Sequence, residues 1–364
     1  MNLVDESYIQ LTIELARKGE GNVSPNPLVG CVITKENRII GAGYHKKFGE
    51  EHAEINAINS TTENLEGSTL YVNLEPCSHF GNTPPCVDKI IKSKIKKVVI
   101  GTLDVNPLVS GNGVRKLIKA GVEVNVGVLE KECYELNKFF FKSISKKIPY
   151  ITLKAAQTLD GLIADKNHKS EWISSEKSRQ YVHLLRSKYD AVLIGSNTAD
   201  LDNPKLTVRM VEGRNPYRII LDSKLKLNSE LKIFSSNSDK KTILVTSIES
   251  KVKKNKLKKF DQLGVRVIFC KKNKSSKLDL LSVLKALNKI GIASVLVEGG
   301  SKTFSSFLKQ KLFDDILLFI SPKILGNGIK TFSEISFEKL QNSFQLKIIK
   351  SDLIGNDILI KLTK

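Results

Sequence analysis

No stretch of 18 consecutive apolar residues occurs anywhere in the 364-residue chain, which excludes a membrane-spanning helix built from sequence alone. The N-terminal residues lack the basic start and unbroken apolar centre of a secretory signal. Asp5, Glu6 and Glu14 are interspersed with Ile9, Ile13 and Leu15, so an amphipathic helix is expected there. Cysteine is scarce: of five, two are assigned to a metal below, and Cys31, Cys133 and Cys270 remain as an odd set. An odd remainder argues against a disulfide framework and predicts a reducing, cytoplasmic location. Acidic residues are in deficit, 38 against 58 lysines and arginines, for a net charge of +20. The densest basic stretch, Lys251, Lys253, Lys254, Lys256, Lys258 and Lys259, has no interleaved aromatics on which bases could stack. It reads as a solvated lysine face, and no nucleic-acid or membrane partner is expected. The charge does favour a small phosphorylated, anionic substrate.

What is present is concentrated between His52 and Cys86. His52-Ala53-Glu54 precedes the apolar run Thr69-Leu70-Tyr71-Val72. Then comes Glu75-Pro76-Cys77-Ser78-His79-Phe80-Gly81-Asn82-Thr83-Pro84-Pro85-Cys86. One imidazole and two thiolates give three ligands for tetrahedral Zn2+ and leave the fourth position for water, the pattern of catalytic rather than structural zinc. Zinc brings the pKa of that water toward neutrality, yielding a hydroxide nucleophile. Glu54, two residues from the histidine, is placed to move protons without binding metal, the division of labour of the zinc deaminases that act on nucleobases. The expected chemistry is hydrolytic loss of an amino group from a pyrimidine-like ring. Two alternatives remain open at this point. A deaminase acting on RNA would use the basic second half as a platform. A non-catalytic zinc protein would close the site with His79 or Cys31.

The cysteines are separated by eight residues, where the deaminase signature has two. That stretch resembles the deaminase half of the bifunctional riboflavin-biosynthesis enzymes. These combine diaminohydroxyphosphoribosylaminopyrimidine deaminase and 5-amino-6-(5-phosphoribosylamino)uracil reductase activities. Ser24-Pro25-Asn26-Pro27-Leu28-Val29-Gly30, Asp104-Val105-Asn106-Pro107 and Gly111-Asn112-Gly113 look like the same family. The resemblance makes Asn26 and Asn106 candidate substrate contacts; the residues alone are equally compatible with turn chemistry beside proline.

Alternating elements divide the chain in two. A first helix, a hairpin of Val29–Thr34 with Arg38–Tyr44, strands at Thr69–Leu74, Lys97–Gly101 and Val122–Val126, and intervening helices form one α/β unit. Leu129, Cys133, Leu136 and Phe140 fall at helical spacing, and the boundary is placed in the polar stretch Lys142–Pro149. Domains of 1–147 and 148–364 follow. In the second, buried strands are expected at Tyr150–Ala156, Ala191–Gly195, Arg218–Asp222, Thr242–Val245, Val265–Phe269 and Ser294–Glu298, with further strands at Asp315–Ile320 and Leu353–Leu362 closing the sheet. Helices are expected at Ser175–Lys188 and Leu278–Ile290, and a mainly parallel sheet with a ligand at its strand ends follows.

Val297-Glu298-Gly299-Gly300-Ser301-Lys302-Thr303 reads as a strand, a glycine turn and a helix start, a weak phosphate-binding signal by itself. Leu153-Lys154-Ala155-Ala156-Gln157-Thr158-Leu159-Asp160-Gly161, Trp172-Ile173-Ser174, the segment from Gly195 to Pro204 and Leu206-Thr207-Val208-Arg209 look like the reductase half of the same family. The resemblance thus spans nearly the whole chain, deaminase first. It implies an α/β protein, a cytidine-deaminase-like α/β/α sandwich followed by a dihydrofolate-reductase-like domain that uses NADPH. It also implies that Gln157 (through its backbone), Trp172, Thr198, Asp202 and Ser223 touch the cofactor. Gly300, Ser301, Lys302, Thr303, Phe304, Ser305 and Ser306 would cradle its phosphates. Ser170, Arg186, Leu206, Arg209 and Glu298 would contact a phosphorylated pyrimidine, and a homo-oligomer is expected. For the arginines, the guanidinium fork matches phosphate oxygens. Lys154 interrupts an apolar strand, either as a cleft residue that orients or protonates the ribose or as an edge lysine that deters strand pairing.

Overall fold

Helix α1 (Leu3–Arg17) buries Ile9, Thr12, Ile13 and Ala16, a spacing of three and four residues that makes one apolar stripe. The computed structural model describes residues 3–80, 84–106, 109–171 and 173–364. The chain divides into two compact units, Met1–Lys147 and Ile148–Lys364.

After α1 the first unit runs β1 (Gly30–Lys35), β2 (Arg38–Tyr44), α2 (Ala53–Asn59), β3 (Thr69–Leu74), α3 (Cys86–Lys92), β4 (Lys97–Thr102), α4 (Asn112–Lys119), β5 (Glu123–Val126) and α5 (Glu130–Lys146). Its sheet has the order β2-β1-β3-β4-β5. Strand β1 pairs antiparallel with β2 and β3, while β3, β4 and β5 are parallel. Side chains alternate across it as the pleat requires. Cys31, Ile33, Leu70, Val72, Val98 and Ile100 join Ala53, Ala57, Val87, Ile90 and Leu117 in one core. Val32, Tyr71 and Val99 face Ile9, Ile13 and Cys133 in the other. The result is a three-layer sandwich with α2, α3 and α4 on one face and α1 and α5 on the other.

Most of the polar stretch Lys142–Pro149 is helical. Helix α5 continues to Lys146 because Phe141 and Ser143 lie on its buried side, and it ends at Lys147 with a left-handed φ of 56°.

The second unit continues with β6 (Tyr150–Thr158), β7 (Leu162–Ala164), α6 (Glu176–Lys188), β8 (Ala191–Gly195), α7 (Ser196–Asp202), β9 (Tyr217–Leu221), α8 (Lys232–Ser235), β10 (Thr242–Ser247) and α9 (Lys254–Gln262). It closes with β11 (Arg266–Cys270), α10 (Leu280–Lys289), β12 (Ser294–Val297), α11 (Ser301–Lys309), β13 (Asp315–Ser321), β14 (Ile329–Lys330), β15 (Lys347–Ile354) and β16 (Asp357–Thr363). Nine strands form one sheet in the order β11-β10-β9-β8-β12-β6-β13-β16-β15. It is parallel from β11 to β13 and antiparallel thereafter. Strand β6 is therefore interior, between β12 and β13, which overturns the edge-lysine reading of Lys154. The expected Leu353–Leu362 strand is instead broken by a turn at Gly355, whose φ is 64°, into the hairpin β15–β16.

The lysine-dense stretch begins in a 3-10 turn at Ile248–Val252 and continues into α9, anchored by fully buried Phe260, whose ring meets Phe234 edge-on at 4.9 Å. Its lysines lie on the outer side, and only Lys256 is half-buried. Among the described residues no helix is long and apolar enough to cross a membrane. Phe260→Ala should cost about 3–5 kcal/mol in urea unfolding of this unit. Lys258→Ala should shift it by no more than about 0.5 kcal/mol.

Candidate active sites

In the first unit, two helix starts and one strand end meet. His52 is the extended N-cap residue of α2, Cys77 follows the end of β3, and Cys86 opens α3 after Pro85. The Nδ1 atom of His52 lies 3.5 Å from Cys77 Sγ and 3.3 Å from Cys86 Sγ, and all three ligand atoms fall within 4.8 Å of one another. Among the described residues the cluster contains neither His79 nor Cys31. The backbone N–H of Cys86 donates to Cys77 Sγ at 3.3 Å. The Cys86 thiol, His52 and that N–H together push the Cys77 thiol down to about 4, so this sulfur carries charge while Cys86 keeps its proton. One preformed thiolate, a second thiol within reach and an imidazole nitrogen suit a divalent, thiophilic ion, and the donor set fits zinc.

Glu54 lies in the first turn of α2 and is 3% exposed. Burial, reinforced by the Cys77 charge, raises its carboxyl to about 7. Beside it, buried His45 is held from two sides: its Nδ1 faces the Glu51 carbonyl at 3.0 Å and its Nε2 faces the Asn26 amide at 3.2 Å. Nδ1 thus donates and Nε2 accepts, a neutral ring, and burial lowers its pKa accordingly. The loop carrying Asn26 is clamped by two buried asparagines. Asn73 accepts from the Gly30 N–H and donates to the Leu28 carbonyl, and Asn137 does both with Leu28.

In the second unit a cavity of about 1100 Å³ opens outside the carboxyl ends of β8, β9 and β12, where a parallel sheet places its ligands. Thr198, Asp202, Ser223, Gly300, Ser301, Lys302, Thr303, Phe304 and Ser306 line it, with Ser170, Arg186, Arg209 and Glu298. Gln157, Leu206 and Ser305 are not on its wall. The Gln157 side chain accepts from Thr331, Leu206 is buried with φ 53°, and Ser305 is fully buried. Trp172 lies outside the described residues. The Gly300 N–H donates to Thr198 Oγ1 at 3.0 Å, which fixes the turn entering α11. Ser301 and Ser305 turn their hydroxyls to Ser333 and the Glu334 N–H, and Phe304 packs in the core. The donors this segment can offer a phosphate are chiefly backbone N–H groups.

Arg186 and Glu298 form a bidentate pair at 2.7 and 2.9 Å, and Arg186 also donates to the Thr207 carbonyl. Burial works against ionising Glu298, yet Arg186, Lys154 and His183 hold its carboxyl below the usual range. Lys154 Nζ is 4.0 Å from Glu298 and 5.6 Å from the Phe319 ring centroid, and burial lowers its pKa. Arg209 donates to Thr207 Oγ1 and has no carboxylate partner among the described residues. Its backbone N–H donates to Nδ1 of His183.

The comparisons with known proteins agree with both sites. Residues 149–360 match the family described as RibD C-terminal domain, and residues 3–102 match the cytidine and deoxycytidylate deaminase zinc-binding region. Riboflavin biosynthesis protein RibD of Aquifex aeolicus is 45% identical over 358 residues, 98% of each chain. The chain belongs to the RibD family. The Escherichia coli RibD is 35% identical over 372 residues, 98% of this chain and 99% of that one. The solved diaminohydroxyphosphoribosylaminopyrimidine deaminase/5-amino-6-(5-phosphoribosylamino)uracil reductase of Thermotoga maritima is 42% identical, covers 99% of both chains and superposes with a TM-score of 0.88. RibD of Acinetobacter baumannii gives 34% and 0.89 with the same coverage. The chain is thus a bifunctional enzyme of riboflavin biosynthesis, a zinc deaminase with a cytidine-deaminase-like fold followed by an NADPH-dependent reductase with a dihydrofolate-reductase-like one.

His45, Asn73, Asn137 and His183 belong to no motif of the sequence. Asn73 sits inside an otherwise apolar strand, a polar interruption that signals a buried hydrogen-bonded group. His183 carries no such mark. Its ring is 5% exposed, and burial with the charges of Arg186, Arg209 and Lys154 lowers its pKa from about 6.5 to about 4. The folded unit therefore binds this proton less readily than the unfolded chain does. Stability from His183 is present above about 6.5 and is lost as pH falls toward about 4. In His183→Asn, denaturant unfolding of the reductase unit should lose part of its pH dependence over that window; an unchanged dependence would contradict it.

Proposed function

We propose that the first unit removes the 2-amino group of 2,5-diamino-6-(5-phosphoribosylamino)pyrimidin-4(3H)-one. The second then reduces the ribosyl side chain of 5-amino-6-(5-phosphoribosylamino)uracil to ribityl. The observation that carries this reading is a buried carboxyl, Glu54, beside a three-donor cluster in a chain whose second unit has a basic cavity at its strand ends. The activities named for the Thermotoga maritima protein supply the substrates.

In the deaminase, His52, Cys77 and Cys86 are the residues that hold zinc. Zinc, when bound, supplies a Lewis-acidic charge that acidifies water. Glu54 is the group that takes a proton from the attacking water and returns one to the departing nitrogen. With its carboxyl raised to about 7, both protonation states are accessible near neutrality. Asn26, oriented by His45, and Asn106 are the contacts to the pyrimidine ring.

In the reductase, NADPH supplies hydride. Thr198, Asp202, Ser223 and the segment Gly300–Ser306 hold it, with Gln157 through its backbone and Trp172. Ser170, Arg209, Arg186 and Glu298 hold the substrate, and Leu206, buried behind the wall, takes no part through its side chain. Arg209 is the phosphate anchor, because Arg186 is already committed to Glu298. Lys154 and Glu298 are the titratable pair that holds a proton at the cavity wall. The protein acts in the cytoplasm, in keeping with five free cysteines, all buried or half-buried. It self-associates through the outer strand β15, where Ile348, Ile349 and Leu353 are exposed.

Given the diaminopyrimidinone, the enzyme should release ammonia with or without NADPH, and NADPH oxidation should follow deamination. Glu54→Gln should abolish ammonia release while zinc stays bound and the uracil substrate is still reduced; retained deamination removes Glu54 from this role. Arg209→Ala should raise KM for the uracil substrate about tenfold or more. An unaltered KM removes Arg209 from the site.

A further inference from the structure

Glu75 is the last residue before the Pro76-Cys77 corner, and only 4% of it is exposed. No lysine or arginine pairs with it among the described residues. Its carboxylate is spent instead on backbone. Oε2 accepts from the N–H groups of Gly111 at 2.9 Å and Asp104 at 3.3 Å, and Oε1 from those of Gly113 at 2.9 Å and Val114 at 3.3 Å. Helix α4 has no side-chain cap of its own, since its N-cap residue is Gly111 with φ 70°. Glu75 therefore caps it from a strand 36 to 39 residues away in sequence. Three donors that the start of a short helix would otherwise leave to water, and a fourth from Asp104 in the preceding turn, are satisfied by one anion, at the helix end that favours negative charge.

The held segment reaches the metal cluster. Asp104 is 8% exposed, accepts from the Asn106 N–H at 2.8 Å, and lies within electrostatic reach of Cys77 and His79. The carbonyl of Asn106 in turn accepts from the N–H groups of Val109 and Ser110. Gly113 packs so tightly that a Cβ there would fall on the Pro76 carbonyl oxygen and come within 3.1 Å of Glu75 Oε1. One carboxylate thus ties together the corner that carries a zinc ligand and the turn that carries Asn106.

We propose that Glu75 is a positioning residue of the deaminase, fixing the Asp104–Asn106 turn against the Cys77 corner so that the substrate pocket keeps its shape. This rests on the deaminase reading above. Glu75→Gln is nearly isosteric but turns an NH2 group toward two of the four N–H donors, so the segment should detach while the zinc ligands remain.

The test uses the full-length zinc-loaded enzyme. In Glu75→Gln, zinc content and the reductase kcat/KM should match the unsubstituted enzyme. KM for the diaminopyrimidinone should rise about tenfold or more. Amide exchange should accelerate at Gly111, Gly113 and Val114. Gly113→Ala, which pushes the segment off an intact Glu75, should raise the same KM. Unaltered KM and exchange in Glu75→Gln would overturn the proposal. So would a loss of zinc and of active chains with KM unchanged in the remainder, the mark of a purely structural residue. Absence of ammonia release from the unsubstituted enzyme would instead defeat the deaminase reading itself.

Discussion

The first unit depends on keeping sulfur charge in a dry place. Cys77 is half-buried at the end of a parallel strand, and it ionises because Cys86 approaches it with both a thiol and a backbone N–H, and His52 with a ring nitrogen. Glu54, another acid, is buried beside it, and burial, reinforced by the thiolate charge, raises its carboxyl to about 7. Such a concentration of acidic groups is costly without a compensating cation. A dication between the three donors relieves that cost, and the polypeptide has preorganised the place for it. The supports around it are neutral: His45 is an uncharged ring, and Asn73 and Asn137 hold the opposite loop by amide hydrogen bonds alone.

The second unit handles charge differently. Its cavity wall is basic, and the acid within it, Glu298, is locked in a fork with Arg186. A buried bidentate pair of this kind fixes direction more than it adds stability. It leaves Arg209 without a carboxylate partner among the described residues, and Lys154 Nζ stands 4.0 Å from the same Glu298. The glycines of the Glu298–Gly300 turn answer to packing. A Cβ on Gly299 would meet the Thr303 side chain at 2.9 Å, and one on Gly300 would meet Thr198 Oγ1 at 3.2 Å.

The parts readable from sequence were those set by local spacing. The strands Thr69–Leu74 and Arg38–Tyr44 declare themselves by β-branched and apolar runs, and their bounds are those of β3 and β2. His52, Glu54, Cys77 and Cys86 share a recognisable spacing, and the structure brings them to one place. Where tertiary contacts decide, sequence misled. Lys154 invites an edge-strand reading, and only the sheet order shows that its strand is interior. Leu353–Leu362 is apolar enough to read as one strand, and the left-handed Gly355 folds it into two. The four backbone bonds of Glu75 were invisible because every partner is at least 29 residues away. Asn137 reaches Leu28 across 109 residues.

The central claim is that three protein donors hold the zinc and leave a position for water. X-ray absorption at the zinc edge of the purified enzyme measures this directly. The account predicts two sulfurs, one imidazole nitrogen and one further light donor that exchanges with solvent. A shell filled by a third sulfur or a second histidine would contradict it.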